Sequence, residues 1–303
     1  MAMHAWIFPG QGSQYVGMGK DSAANDQDAA RLFQDADRVL GFSLSALCFE
    51  GPEEELRQTR NTQPAIFLHS TVMADLIRQE KPAMVAGHSL GEYSALVVAG
   101  ALAFEDALRL VRLRGELMQK AGEEQRGTMA AVVGLSPEVI EEVCRDARAE
   151  GIVQPANFNS PGQIVISGSV AGVKKAAEIA RQRGAKLVKE LVVSGAFHSP
   201  LMESAQQGLK QALDRAEIRD ANIPVYANVT AAPVTKATEI RELLFRQVTS
   251  PVRWEETVRN MVRDGATSFI EIGPGKVLQG LVKRTEPAVP VRGCDRYADL
   301  QPA

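Results

Sequence analysis

Met84-Val-Ala-Gly-His-Ser-Leu-Gly-Glu92 joins a short apolar run to the pattern Gly-x-Ser-x-Gly and to the start of a helical pattern. This order predicts a sharp strand-to-helix turn, the nucleophile elbow, which exposes the hydroxyl of Ser89. Gly87 and Gly91 are needed because such a turn has no room for a Cβ on either side. The helix N-terminus would offer positive potential and the N–H of Leu90 to a developing oxyanion. Ser89 is therefore a candidate nucleophile, with an ordinary strand-helix turn as the alternative.

Strand and helix patterns alternate along the rest of the chain, as expected for a mostly parallel sheet covered by helices. The other predicted buried strands are 4–8, 225–228 and 268–272. The predicted helices are 31–48, 62–79, 90–99, 105–121, 200–214, 239–248, 254–263 and 276–284. We expect residues 1–126 and 195–303 to form one large α/β domain.

Residues 127–194 follow a different pattern. Their predicted elements, in order, are a strand at 129–133, a helix that begins after Ser136, strands at 152–157 and 163–167, a helix at 171–183 and a strand at 186–193. The order β-α-β-β-α-β is that of a split βαβ unit. We therefore expect residues 127–194 to be a small domain inserted into the larger one.

The composition is that of a globular protein with little net charge. The chain has 303 residues, 34 Lys+Arg against 37 Asp+Glu, and 45% hydrophobic residues. This balance argues against disorder and against nucleic acid as the main partner. The three cysteines suggest no disulfide framework, the four histidines lack metal-binding spacing, and no stretch resembles a signal peptide or a membrane span. We expect a cytoplasmic protein without a metal or membrane partner, monomeric by default.

The glycine-rich opening Pro9-Gly-Gln-Gly-Ser-Gln-Tyr-Val-Gly-Met-Gly-Lys20 matches neither common phosphate-binding pattern. A dinucleotide fingerprint would need a third glycine at position 15, where Tyr15 stands, and Lys20 is followed by Asp21 rather than Ser or Thr. What remains is a flexible loop after the first strand, able to bring a backbone N–H close to a ligand. A plain structural turn is an equal alternative.

His198 is the base that elimination favours for Ser89. His4 begins a predicted strand, His69 lies in a helical pattern, and His88 adjoins Ser89 on a turn where neighbouring side chains point apart. His198 lies in a loop before a predicted helix, whose positive end would keep the imidazole neutral. No Asp or Glu between Ser89 and His198 stands at an obvious strand end, so we expect a dyad oriented by a backbone carbonyl rather than a triad.

Arg114 lies near the middle of the apolar sector of the helix predicted at 105–121, whereas Arg109 and Arg112 lie on the opposite side. A charge in that sector is costly unless it is paired. Three explanations stay open at this point. The side chain reaches solvent, meets a buried carboxylate of the protein, or binds an anionic ligand.

Further short motifs run in order along nearly the whole chain. They are Phe8-Pro-Gly-Gln-Gly-Ser-Gln14, Gln63-Pro-Ala65, Gly87-His-Ser-Leu-Gly-Glu92, Arg114-Gly115, Gly195-Ala-Phe-His-Ser-Pro-Leu-Met202, Asn228-Val-Thr230, Gln247, Ser250-Pro-Val-Arg-Trp254 and Glu271-Ile-Gly-Pro-Gly275. In this order they resemble the malonyl-CoA:acyl carrier protein transacylases. The resemblance implies an α/β-hydrolase-like large domain with a mostly parallel sheet and an inserted ferredoxin-like small domain.

The resemblance also implies roles for individual residues. Ser89 would be the acylated nucleophile and His198 its base, with the backbone N–H groups of Gln11 and Leu90 forming the oxyanion hole. Gln247 would orient His198 through its main-chain carbonyl. The resemblance thus explains why no acidic residue is required to orient His198, and it gives the glycine-rich opening a role other than phosphate binding.

The substrates follow from the same resemblance. Malonyl-CoA would load Ser89, and the phosphopantetheine thiol of an acyl carrier protein would then accept the malonyl group in a ping-pong reaction without a bound cofactor. Arg114 would hold the free carboxylate of malonyl, and Phe197 resembles the malonyl-type rather than the methylmalonyl-type motif. Two alternatives remain, an acyl hydrolase or thioesterase on the same scaffold and a carrier-protein docking module without activity.

Overall fold

The computed structural model describes residues 3–78 and 80–300. Its strands are β1 His4–Phe8, β2 Met84–Gly87, β3 Gly127–Val133, β4 Val153–Ser160, β5 Gln163–Ser169, β6 Leu187–Glu190, β7 Val225–Tyr226, β8 Pro233–Val234, β9 Ser268–Ile272 and β10 Val291–Cys294. Its α-helices are α1 Lys20–Asn25, α2 Gln27–Leu40, α3 Leu44–Glu50, α4 Glu53–Leu56, α5 Thr59–Leu76, α6 Gly91–Val98, α7 Phe104–Glu124, α8 Pro137–Ala147, α9 Val170–Gln182, α10 Glu203–Arg215, α11 Ala237–Gln247, α12 Trp254–Arg263 and α13 Val277–Thr285. Within the described ranges, none of these helices is long and apolar enough to cross a membrane.

The larger sheet has six strands in the order β10-β9-β1-β2-β7-β8. All its neighbouring strands are parallel except β7 and β8, which confirms the predicted mostly parallel sheet. The register pairs Phe8 with Gly87, so β1 and β2 end side by side. Because loops converge at the carboxyl ends of parallel strands, the glycine-rich loop and the elbow lie together at an edge suited to binding.

The smaller sheet has four antiparallel strands in the order β4-β5-β3-β6. Together with α8 and α9 it has the β-α-β-β-α-β order expected from the sequence. The two helices and the sheet share an apolar cluster that includes Ile140, Val173 and Ile166. Ser136 caps α8 as predicted, since its hydroxyl accepts a hydrogen bond from the N–H of Val139 at 3.5 Å.

Helices α5 and α7 pack against each other in the main core. Helix α5 is buried on nearly every side, as expected of a central helix, and Phe67 stacks on Phe104 with ring centroids 5.8 Å apart. Helix α7 turns its apolar sector, including Leu110 and Val111, toward this core. Arg114 follows one turn later on the same side, and the sector therefore carries a cation into the interior.

The structure corrects several predicted elements. The helix predicted at 31–48 is two helices, because Gly41 adopts the left-handed conformation at φ 73° and ends α2, after which Ser43 caps α3. The helix predicted at 62–79 begins earlier, at Thr59, and ends at Leu76; its last predicted position, 79, lies outside the described residues. Strand β10 was not predicted at all, although it pairs with β9 along the edge of the sheet.

Candidate active site

The elbow forms where strand β2 turns into helix α6. Ser89 adopts φ 53°, a left-handed conformation that is strained for a residue with a Cβ and persists only where the surroundings enforce it. A Cβ on Gly87 would overlap the backbone of Gly91, and one on Gly91 would overlap the carbonyl oxygen of Phe8. Asn228 holds the turn from outside, since its Oδ1 accepts from the N–H of Ser89 at 2.7 Å and its Nδ2 donates to the carbonyl of Gly87 at 2.6 Å.

Ser89 and His198 are in direct hydrogen-bond contact, with 2.9 Å between Oγ and Nε2. The other ring nitrogen of His198, Nδ1, lies 2.9 Å from the carbonyl oxygen of Gln247 and 3.1 Å from that of Ser250. Because carbonyl oxygens only accept, Nδ1 carries the proton and Nε2 is left free to accept from the serine hydroxyl. Within residues 3–78 and 80–300 no carboxylate forms an ion pair with His198.

The imidazole of His198 is held neutral. Burial, with a further contribution from the cation of Arg114, lowers its pKa from 6.5 to about 3, although the carbonyls of Gln247 and Ser250 act in the opposite direction. The sequence predicted a neutral base, but for another reason. The expected helix end is a short 3₁₀ turn, Pro200–Met202, before α10, and desolvation rather than a helix dipole accounts for the low pKa.

The guanidinium of Arg114 points into the site, and the residue is only 1% exposed. Its Nη1 donates to Oε1 of Gln63 at 2.7 Å, while its Nη2 donates to Oε1 of Gln247 at 2.9 Å and to Oγ of Ser89 at 3.1 Å. The side chain does not reach solvent, and no carboxylate in the described residues forms an ion pair with it. Of the three explanations, these contacts leave the third, an anionic ligand, because the cation has only neutral acceptors beside the nucleophile.

That arrangement is energetically unusual. A buried guanidinium without a direct counter-ion pays a large desolvation penalty, and burial accordingly lowers the pKa of Arg114. Its Nε also has no acceptor among the described residues. The ring of Tyr93, whose centroid is 5.9 Å from the guanidinium carbon, offers only weak compensation. An anion that binds next to Arg114 would therefore offset much of the desolvation penalty of the guanidinium.

A cavity of about 120 Å³ opens onto these groups. Its lining residues are Gln11, Gln63, His88, Ser89, Leu90, Arg114, Met118, Met129, Asn157, Leu191, Val193, Phe197 and His198. The structure thus places Gln11, Leu90 and Phe197 around the same space as the dyad. Backbone N–H groups of Gln11 and Leu90 have no acceptor elsewhere in the described part of the chain, which leaves them available to an oxyanion.

A larger open cleft of about 930 Å³ lies between α8 and the start of α12. Its lining includes none of Ser89, His198 and Arg114. Gln154, which borders the cleft, donates through Nε2 to the carbonyl of His198 at 2.8 Å. We assign the site to the smaller cavity because the nucleophile, the base and the buried cation converge there.

The remaining histidines are occupied elsewhere. Nε2 of His88 donates to Oδ1 of Asn159 at 2.9 Å, because an amide oxygen only accepts. Nδ1 of His4 lies 2.7 Å from the hydroxyl of Ser268, and Nε2 of the buried His69 lies 3.4 Å from a carboxylate oxygen of Asp295. In the part of the chain that the structure describes, none of these three histidines forms a hydrogen bond with Oγ of Ser89.

Three polar residues of the site had no role assigned from the sequence. Gln63 and Asn228 were noted only as parts of motifs, and Glu92 only as the residue after the elbow. Glu92 is 3% exposed, and its Oε2 accepts from Nε2 of Gln247 and from the N–H of Asn228, each at 2.9 Å. Burial raises its pKa to about 7, against the lowering effect of these hydrogen bonds and of Arg114. The sequence signal that could have marked these three residues is a polar side chain inside an otherwise apolar pattern.

Comparison with known proteins gives consistent matches. Residues 5–297 match the family described as acyl transferase domain. The malonyl CoA-acyl carrier protein transacylase of Bacillus subtilis is 49% identical over 287 residues, covering 94% of this chain and 90% of that protein. A crystal structure of an acyl carrier protein S-malonyltransferase from Vibrio cholerae superposes with a TM-score of 0.96 at 43% identity, covering 99% of each chain. A malonyl-transacylase in complex with its type II PKS acyl-carrier protein gives a TM-score of 0.95 at 42% identity over 99% of this chain and 98% of that one.

Proposed function

This chain belongs to the acyl transferase domain family, among the malonyl CoA-acyl carrier protein transacylases, and from that premise we propose how its site transfers malonyl from malonyl-CoA to an acyl carrier protein. Ser89 forms the malonyl ester, and His198 moves the proton. The activity is malonyltransfer, and the acyl carrier protein is the partner. No metal or bound cofactor enters the proposed steps, because every group they use belongs to the chain or to the substrates.

One observation carries the assignment of malonyl to this site. The guanidinium of Arg114 is 1% exposed, has only neutral acceptors and lies 3.1 Å from the oxygen that would carry the acyl group. A carboxylate two bonds beyond the ester carbonyl would reach the cation while the carbonyl carbon is bound to Ser89. An uncharged acetyl group would leave the cation without that partner.

In the first half-reaction, Nε2 of His198 takes the proton of Ser89 as Oγ attacks the thioester carbonyl of malonyl-CoA. The tetrahedral oxyanion is directed at the N–H groups of Gln11 and Leu90. Collapse of the intermediate breaks the carbon–sulfur bond, and the imidazolium returns its proton to the departing CoA thiolate. Free CoA and malonyl-Ser89 remain.

The second half-reaction reverses these steps with a different thiol. His198 takes the proton of the phosphopantetheine thiol of the carrier protein, and the thiolate attacks the ester carbonyl. The ester oxygen of Ser89 leaves and recovers the proton from the imidazolium, which yields malonyl carrier protein and free enzyme. Because one thioester replaces another, little net driving force is needed, and the enzyme must mainly keep water from the ester.

Phe197 is 6% exposed and lines the cavity beside His198, where we propose that it limits the space around the α-carbon of malonyl. A methyl branch would change the fit by about 1–3 kcal/mol. We also keep as predictions a monomer, a cytoplasmic location and the division into domains at 127 and 195.

The test is the intact-protein mass after mixing with malonyl-CoA, with and without a carrier protein. We expect a malonyl adduct that is absent in Ser89→Ala and that passes to the carrier protein when it is added. Release of free malonate without transfer would point to an acyl hydrolase instead. A folded protein that forms no adduct would contradict the proposal and favour a docking module.

A further inference from the structure

Among the described residues, Glu92 is a buried carboxylate that contacts a residue of the site directly but has no part in the proposed mechanism. It lies in the first turn of α6, three residues after the nucleophile, where the helix N-terminus favours an anion. Its Oε2 reaches across to the ends of two other segments, the N–H of Asn228 and the side chain of Gln247. Asn228 therefore fixes the carboxylate while the carboxylate contacts Gln247.

The amide of Gln247 is the key group because it faces both donors and acceptors. Its Oε1 accepts from Nη2 of Arg114 at 2.9 Å, whereas its Nε2 donates to Oε2 of Glu92 at 2.9 Å and to the carbonyl of Ser89 at 3.0 Å. A guanidinium only donates, and a carboxylate or a backbone carbonyl only accepts. A flipped amide would set NH₂ against the cation and its oxygen against two acceptors, so only one orientation is compatible with these neighbours.

We propose that Glu92 is a positioning residue that determines substrate selectivity, because its carboxylate holds the Gln247 amide with the oxygen toward Arg114. The inference rests on the proposed function, in which Arg114 binds the malonyl carboxylate. Glu92 itself touches neither the acyl group nor the reacting atoms.

The same geometry explains how the positive charge of Arg114 is partly compensated while its guanidinium stays available to a substrate carboxylate. The amide of Gln247 lies between the cation and Glu92, so the negative charge acts on Arg114 without a direct ion pair. Glu92 contributes to holding the charge of the guanidinium, as the effect of each on the pKa of the other indicates. A carboxylate in direct contact would occupy the cation that the substrate needs.

The experiment measures kcat/KM for loading of Ser89 by malonyl-CoA and by acetyl-CoA in the wild-type enzyme and in Glu92→Gln. The substitution keeps size and one acceptor oxygen but removes the charge, and it adds an NH₂ that competes for the same contacts. A charged acceptor exceeds a neutral one by about 5- to 30-fold in an equilibrium constant. We expect malonyl loading to fall by about that factor and acetyl loading by less than about threefold.

Glu271→Gln is the matched control. Glu271 is fully buried, and burial raises its pKa to about 7 as well. Its carboxylate accepts from the backbone of Leu278 and from the backbone and side chain of Gln279, and in the described part of the chain it forms no hydrogen bond with a residue of the site. A general loss of stability would lower both loading rates in proportion, and this control should leave their ratio unchanged.

The possible outcomes distinguish a failure of the role of Glu92 from a failure of the proposed function. A malonyl to acetyl ratio that is unchanged in Glu92→Gln would overturn the inference, and a raised ratio would do so too, because it would mean that Glu92 only repels the malonyl carboxylate. If Glu92→Gln does not fold, Glu92→Asp retains the charge one methylene short of Gln247, and the same fall in the ratio is expected. A wild-type enzyme that is not loaded by malonyl-CoA would instead refute the proposed function.

Discussion

Replacing Arg114 by alanine is the most direct perturbation of substrate choice. The substitution removes the donors to Gln63, Gln247 and Ser89 and leaves the backbone of α7 in place. Both thioesters lose the donor to Oγ of Ser89, but only malonyl-CoA also loses the partner of its free carboxylate. We therefore expect Arg114→Ala to shift preference from malonyl toward uncharged acyl groups.

The size of the shift follows from the burial of the cation. Arg114 is 1% exposed, and no carboxylate of residues 3–78 and 80–300 pairs with it directly, so a substrate carboxylate would be its direct anionic partner. Truncating one member of such a desolvated pair costs about 2–5 kcal/mol. At about 1.4 kcal/mol per decade, the malonyl to acetyl ratio of kcat/KM should fall by about thirtyfold to several thousandfold.

The assay is initial-rate loading of Ser89 by each thioester, followed by quenched intact-protein mass spectrometry. Arg109→Ala is the control on the same helix, because Arg109 is about half exposed and pairs only with Glu105 and Asp106 at the surface. Thermal melts of both variants show whether the fold is retained. A ratio in Arg114→Ala that equals the ratio in Arg109→Ala would refute the reasoning, since the cation would then have no part in selecting malonyl.

Three further outcomes are expected. Gln247→Ala keeps the main-chain carbonyl that faces Nδ1 of His198, so the rate constant for acylation of Ser89, measured by single-turnover loading, should fall far less than the roughly 10⁴-fold seen when a triad acid is neutralised. A loss of that size would contradict the dyad. The pKa of His198 is about 3 in the folded protein and 6.5 in the unfolded chain, so its contribution to stability is complete above pH 6.5 and is lost as the pH falls toward 3. In urea melts at pH 7 and pH 5, the free energy of unfolding of the wild type should therefore fall by about 2 kcal/mol more than that of His198→Asn. Gly91→Ala forces a Cβ onto the carbonyl of Phe8 and should destabilise by at least about 1–3 kcal/mol, whereas Gly280→Ala in α13, with only the tip of a flexible side chain 4.0 Å away, should be neutral or stabilising in a thermal melt.

Local sequence patterns were sufficient to predict the elements whose conformation depends on residues close together in the chain. The elbow at Ser89 follows from an apolar run, two glycines and a helix start within nine residues of sequence, and the structure has that turn. The helical period alone placed Arg114 on the buried side of α7. The break in the helix predicted at 31–48 also has a local cause, because Gly41 adopts the left-handed conformation and ends α2.

The amino-acid sequence by itself determined the α/β order of the chain, the sharp turn under the candidate nucleophile and the position of Arg114 in the apolar sector of α7, because each depends on residues only a few positions apart. The tertiary structure alone decided which groups meet Arg114, for Gln63 lies 51 positions away and Gln247 133 positions away. It also decided that Glu92 holds Gln247 across 155 positions, and that desolvation keeps His198 neutral. Such contacts have no period or spacing in the chain, because they form only when packed helices and strands bring distant loops to one edge of the sheet.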